Sequence, residues 1–134
     1  MSAGSTATAT GVTVSIVRDP ALVRTVRLVA AAVARRAGQD EELVEEIRLA
    51  VGEACALLIG DEPDAAKSPV TIAIAVSDRI SVEVVSHSPA DVKAPPHSGI
   101  DGVERWALLR GLVENFAVEQ AGPTTTVSMS WPIT

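Results

Sequence analysis

Glu53 stands in Leu49-Ala50-Val51-Gly52-Glu53-Ala54-Cys55, a carboxylate in the middle of an otherwise apolar segment. A helical turn of about 100° per residue sets it roughly 120° from the centre of the apolar stripe, on the shoulder where a helix meets a cleft or solvent. Two chemistries suit that place: a carboxylate solvated on a helix flank, or a general base whose pKa is raised by apolar neighbours. His87 and His97, with Asp91 and Asp101, suggest a metal site. Histidines so spaced in a loop, with no helical i,i+4 pair, read more simply as ordinary loop residues, and no metal is expected. Arg24, Arg27, Arg35 and Arg36 form either a solvated helix face or a basic stripe that meets an acidic partner. Cys55 is the only cysteine, so neither an intrachain disulfide nor a thiolate-rich zinc site can form, and a reducing, cytoplasmic setting fits.

The elements that must carry these residues can be read from periodicity and punctuation. Val12–Val17 alternates like a half-buried strand. Asp19-Pro20 opens a helix expected over about Pro20–Ala37, with Leu22, Val26, Val29 and Val33 on one face and Gly38 at its end. Asp40 caps a second helix, whose first-turn Glu41 and Glu42 suit the positive end of the helix dipole. Leu43, Ile47, Ala50, Val51, Ala54 and Leu58 form its apolar stripe, and Gly60-Asp61-Glu62-Pro63 closes it.

Val70–Val76 and Ile80–Ser86 alternate strictly around Ser77-Asp78-Arg79, a hairpin. Residues His87–Asp101 hold three prolines without apolar periodicity, a loop long enough to suggest function. A third helix is expected over about Gly102–Asn115, with Trp106, Leu109, Leu112 and Val113 inward. Ala117–Gln120 and Thr125–Trp131 pair around Gly122-Pro123. The order predicts an α/β two-layer sandwich: a mixed, mainly antiparallel sheet of about five strands under three helices.

A chain of 134 residues is the length of one domain, expected over 12–134 behind a disordered Ser/Thr/Ala/Gly tail at 1–11. Its 21 Ala and 19 Val dominate the hydrophobic 47%, so the core must be aliphatic and closely spaced. Eleven Lys and Arg against 17 Asp and Glu give a net charge of −6, which disfavours nucleic acid and anionic membranes as partners. No apolar run is long enough to span a bilayer.

The stretch Asp40–Ile59, with Ile47-Arg48-Leu49-Ala50-Val51-Gly52-Glu53-Ala54-Cys55, resembles the signature helix of the anti-sigma factor kinases of bacterial partner-switching systems, members of the GHKL superfamily of ATPases. The resemblance extends over about Val12–Trp131, because the order of elements also matches that fold. It implies that Glu53 matches the family's general base, while the magnesium-holding asparagine four residues on is Leu57, which has no oxygen for a hard cation. The family's Asp-x-Gly-x-Gly motif, whose aspartate binds the adenine amino group, falls on Ser86, Ser88 and Ala90. A neutral hydroxyl there gives a weaker hydrogen bond than a carboxylate. The family's Gly-x-Gly-Leu phosphate turn falls on Val103-Glu104-Arg105-Trp106, where side chains and a carboxylate oppose a phosphate. Thr125 matches the threonine of the closing hairpin, and is equally a β-favouring residue on a strand.

The resemblance therefore implies an anti-sigma factor-like regulator that sequesters a sigma factor and is countered by a STAS-domain anti-anti-sigma factor. With Ser86, Ser88 and Thr125 as the remnant of a nucleotide pocket, no ATP or magnesium is expected. Sequestration needs a complementary surface rather than a chemical step, so it survives loss of that pocket. Two alternatives stay open: an active serine-protein kinase with Glu53 as base and bound Mg-ATP, which would need another way to neutralise phosphate charge, and a small-ligand sensor on the same scaffold. The family commonly forms dimers, and Leu49 beside Leu57 offers an apolar contact for a homodimer.

Overall fold

Alternation of β-branched and small polar residues builds five strands, and the structure, a computed structural model, describes residues 10–60, 63–64, 66–87, 109, 111 and 113–133. Strand β1 spans Thr10–Ile16, beginning two residues before the expected start. A 3-10 turn at Pro20–Leu22 leads into helix α1, Val23–Arg36, and helix α2 spans Glu41–Ile59. Then come β2, Val70–Val76; β3, Arg79–Ser86; β4, Asn115–Ala121; and β5, Thr124–Pro132. The sheet order is β1-β2-β3-β5-β4. Every pairing is antiparallel, so the expected mixed sheet is corrected to a wholly antiparallel one. The β2–β3 and β4–β5 pairs are tight hairpins, a connection that only antiparallel strands allow.

Two helices, α1 and α2, are present among the described residues. Leu109 and Gly111 have helical backbone and Leu109 and Val113 are buried, but Val113 and Glu114 are not helical and Asn115 already opens β4, which corrects the expected helix end at Asn115; most of that segment lies outside the described residues. The two helices pack on each other and on one sheet face, where Ile72, Ile74, Ile80, Val82, Val84, Val127 and Met129 supply the floor of the core. The opposite face carries small polar residues such as Ser81, Ser128 and Ser130.

Asp19 and Asp40 cap as expected. The Ala21 amide donates to Asp19 Oδ1 at 3.0 Å, and the Leu43 amide donates to Asp40 Oδ1 at 2.9 Å. Gly60 ends α2 with a φ of 90°, a left-handed conformation that only glycine adopts at no steric cost. The continuous helix expected from Pro20 is interrupted, because its first three residues form the 3-10 turn. The buried stripe of α1 is also rotated from the expected one. Val23, Val26, Ala30, Ala31 and Ala34 are buried, whereas Leu22, Val29 and Val33 are half-buried. Alanines at the contact let the helices approach closely, which pushes the bulkier residues to the margin.

Candidate functional site

The antiparallel register places one row of residues straight across the sheet at the end nearest the α2 C-terminus. Ile16 faces Val70, Val70 faces Ser86, Ser86 faces Thr125, and Thr125 faces Gln120. Ser86 and Thr125 are each 1% exposed, so two polar side chains lie side by side on the core face of the sheet. The Gln120 amide approaches Thr125 Oγ1 at 3.4 Å from the edge strand.

Arg18 completes this end of the sheet. It follows β1 by two residues and continues the inward parity of Val14 and Ile16, which turns its side chain toward the core. It is 4% exposed. Its Nη1 donates to the Leu58 carbonyl at 2.6 Å, its Nε to the Ser68 carbonyl at 2.8 Å, and its Nη2 to Ser86 Oγ. The Arg18 carbonyl accepts from the Asp64 amide at 2.8 Å. One guanidinium thus ties the last turn of α2, the connection into β2 and the end of β3. A buried guanidinium is tolerated only when its donors are matched, as these are.

Glu53 and Leu57 lie one turn apart on α2 and share a face. Both are half-buried, and Glu53 makes no hydrogen bond or ion pair among the described residues. Leu49, a turn earlier, is 40% exposed. Cys55 is buried, and burial pushes its thiol up to about 12, so it stays protonated and unreactive at neutral pH. No group of three or more metal-ligating side chains occurs among the described residues. His87 is exposed, with Nδ1 3.3 Å from Thr124 Oγ1. Ser88, Ala90, Asp91, His97, Asp101 and the Val103–Trp106 segment lie outside the described residues. No helix is long and apolar enough to cross a membrane, among the described residues.

The geometry brings Ser86 and Thr125 together and sets Glu53 and Leu57 on the helix above. It joins to them Arg18, which sequence reasoning passed over. The family model for the histidine kinase-like ATPase domain matches residues 16–131. The chain belongs to this family. Comparison with curated proteins gives no match. Within the family fold, the resemblance puts Ser86 at the base-binding aspartate, and there the hydroxyl oxygen already accepts from Arg18. The hydroxyl keeps a second lone pair, but at 1% exposure an adenine amino group would have to reach a buried oxygen that already lies against a guanidinium.

The basic stripe divides into different environments. Arg35 donates through Nε and Nη2 to Glu41 at 2.9 and 3.0 Å, which holds the Glu41 carboxyl below its ordinary range. Arg48 does the same for Glu45. Arg24 and Arg36 are exposed, whereas Arg27 is partly buried against α2. Gly52 makes that possible, since a Cβ there would overlap the Arg27 side chain. The Nε is buried without an acceptor among the described residues, a deficit that ordinarily costs about 1–3 kcal/mol.

Proposed function

We propose that this chain is an anti-sigma factor-like regulator that sequesters a sigma factor by stoichiometric contact, is released by a STAS-domain antagonist, and works without binding ATP or transferring phosphate. The observation that carries the reading is the buried Arg18–Ser86 hydrogen bond beside Thr125. The Ser86 oxygen is 1% exposed and lies against a guanidinium donor, a poor acceptor for an adenine amino group, and on the resemblance Leu57 stands where the metal ligand would be. Charged acceptors contribute about 1.5–3 kcal/mol per hydrogen bond against roughly 1 kcal/mol for neutral ones, so the substitution weakens base recognition before phosphate contacts are counted.

Sequestration on this scaffold depends on competition between two partners for one surface or for coupled surfaces, and mass action then sets the free sigma factor. The test has two parts. Affinity capture with the full chain from its native cell extract recovers a sigma factor or a STAS-domain protein, and calorimetry with millimolar Mg-ATP registers no micromolar binding. Transfer of label from ATP to the captured antagonist, abolished by Glu53→Ala, would replace this reading with the kinase.

A further inference from the structure

A cleft of about 570 Å³ opens between the start of α1 and the end of α2, and neither Ser86 nor Thr125 lines it. Pro20, Val23 and Ala56 give it apolar walls, Gly60 closes one end, and Arg24 and Arg27 supply its charge. No carboxylate lines it among the described residues. Neither arginine makes a hydrogen bond or ion pair among those residues, in contrast to Arg18, Arg35 and Arg48. The chain carries a net charge of −6, yet the two charged side chains that line this concavity among the described residues are both arginines.

The pair is also built rather than incidental. Arg24 and Arg27 are three residues apart on α1, which puts their Cβ atoms about 5–6 Å from each other on one face. Gly52 gives up a side chain in mid-helix, at a cost in helix propensity, and the space is filled by the Arg27 stem. That notch fixes the guanidinium even though its Nε finds no acceptor. The Arg27 Nε is buried against α2, so its outer Nη groups, with the exposed Arg24, are the ones that face the cleft, and guanidinium groups of this kind bind phosphate through charge-assisted hydrogen bonds. The cleft volume lies within the range of about 300–1,000 Å³ common to small-molecule sites. The apolar walls leave room for an organic body beside the charged group.

We infer that this cleft binds a small phosphomonoester, its dianionic phosphate between Arg24 and Arg27 and its apolar part against Pro20, Val23 and Ala56. Since neither Ser86 nor Thr125 lines the cleft, the inference does not rest on the regulator reading above. A ligand bridging α1 to α2 would stabilise the native chain by mass action.

Phenyl phosphate is the probe, titrated into the full isotope-labelled chain at fixed ionic strength and followed by amide NMR. Saturable shifts are expected at Ala21, Arg24, Arg27, Ala56 and Gly60. Arg24→Gln removes an exposed side chain, and Gly52→Ala keeps both charges while displacing Arg27 from its notch. Each is expected to weaken binding about tenfold or more, as loss of a charge-assisted fork should. Benzoate, a monoanion of similar body, should bind more weakly than phenyl phosphate. Shifts that fail to saturate, that centre on Ser86 and Thr125, or that are unchanged in both folded variants would overturn the inference, as would benzoate binding as tightly.

Discussion

Arg18 and Arg27 are both arginines held against α2, yet one is satisfied by the chain and the other is not. Around Arg18, the Leu58 and Ser68 carbonyls and Ser86 Oγ receive three of the guanidinium's donors, and the result is a closed polar knot at the end of the sheet. Around Arg27, a glycine notch holds the side chain, and its buried Nε has no acceptor among the described residues. A cation matched internally serves structure, whereas the outer guanidinium nitrogens of Arg27 stay open to the cleft for which a phosphate is inferred.

The largest effect expected from testing this contrast is at the closed end. Arg18→Met removes the donors of three acceptors and should lower unfolding free energy by about 3 kcal/mol or more, read from urea denaturation. A loss under about 1 kcal/mol would mean that the knot is dispensable. Ser86→Ala deletes one acceptor and should cost about 1–3 kcal/mol. Arg24→Gln, at the open end, should leave stability within about 0.5 kcal/mol, as surface changes do. A large loss there would remove the distinction between the two regions.

Two pH responses sharpen the comparison. Cys55, beneath the Arg27 side of α2, has its folded pKa pushed up to about 12, whereas the unfolded thiol ionises near 8.5. The unfolded chain therefore loses its proton first, and stability should fall above about pH 8.5 by up to 1.4 kcal/mol per pH unit, an effect that Cys55→Ala abolishes. A thiol reagent should label the native chain slowly and the urea-unfolded chain fully. Smallest is the response of Glu41 and Glu45. Their folded pKa values are depressed by Arg35 and Arg48, so their stabilisation is present above the ordinary carboxylate range and is lost as pH falls through the folded values. Both pairs are exposed, so added salt should erase this acid-side contribution.

The sequence carried most of the fold because its punctuation is strong. Strict alternation around Ser77-Asp78-Arg79 defines the β2–β3 hairpin, and Asp40 with Gly60 brackets α2 within a residue. The α1 stripe was displaced because periodicity weighs Leu22, Val29 and Val33 above alanine, whereas helix-to-helix contact favours Ala30, Ala31 and Ala34. Ser86 and Thr125 were singled out through the family motif, and the register makes them direct neighbours. Arg18 was not, because arginine by type belongs at the surface. Its signal was parity: counting by twos from Val14 through Ile16 lands on Arg18. Gly52 carried a signal as well, since a glycine inside a strong helix calls for a reason in packing.

The order of the strands has a consequence for how the chain assembles. The β2–β3 and β4–β5 pairs are hairpins that close short loops, while β1 reaches β2 only after both helices have been laid down between them. Loop-closure entropy makes that long-range pairing the late step. The edge strand, with Arg18 just beyond it, should therefore be the last part to dock during folding and the first whose amides exchange with solvent.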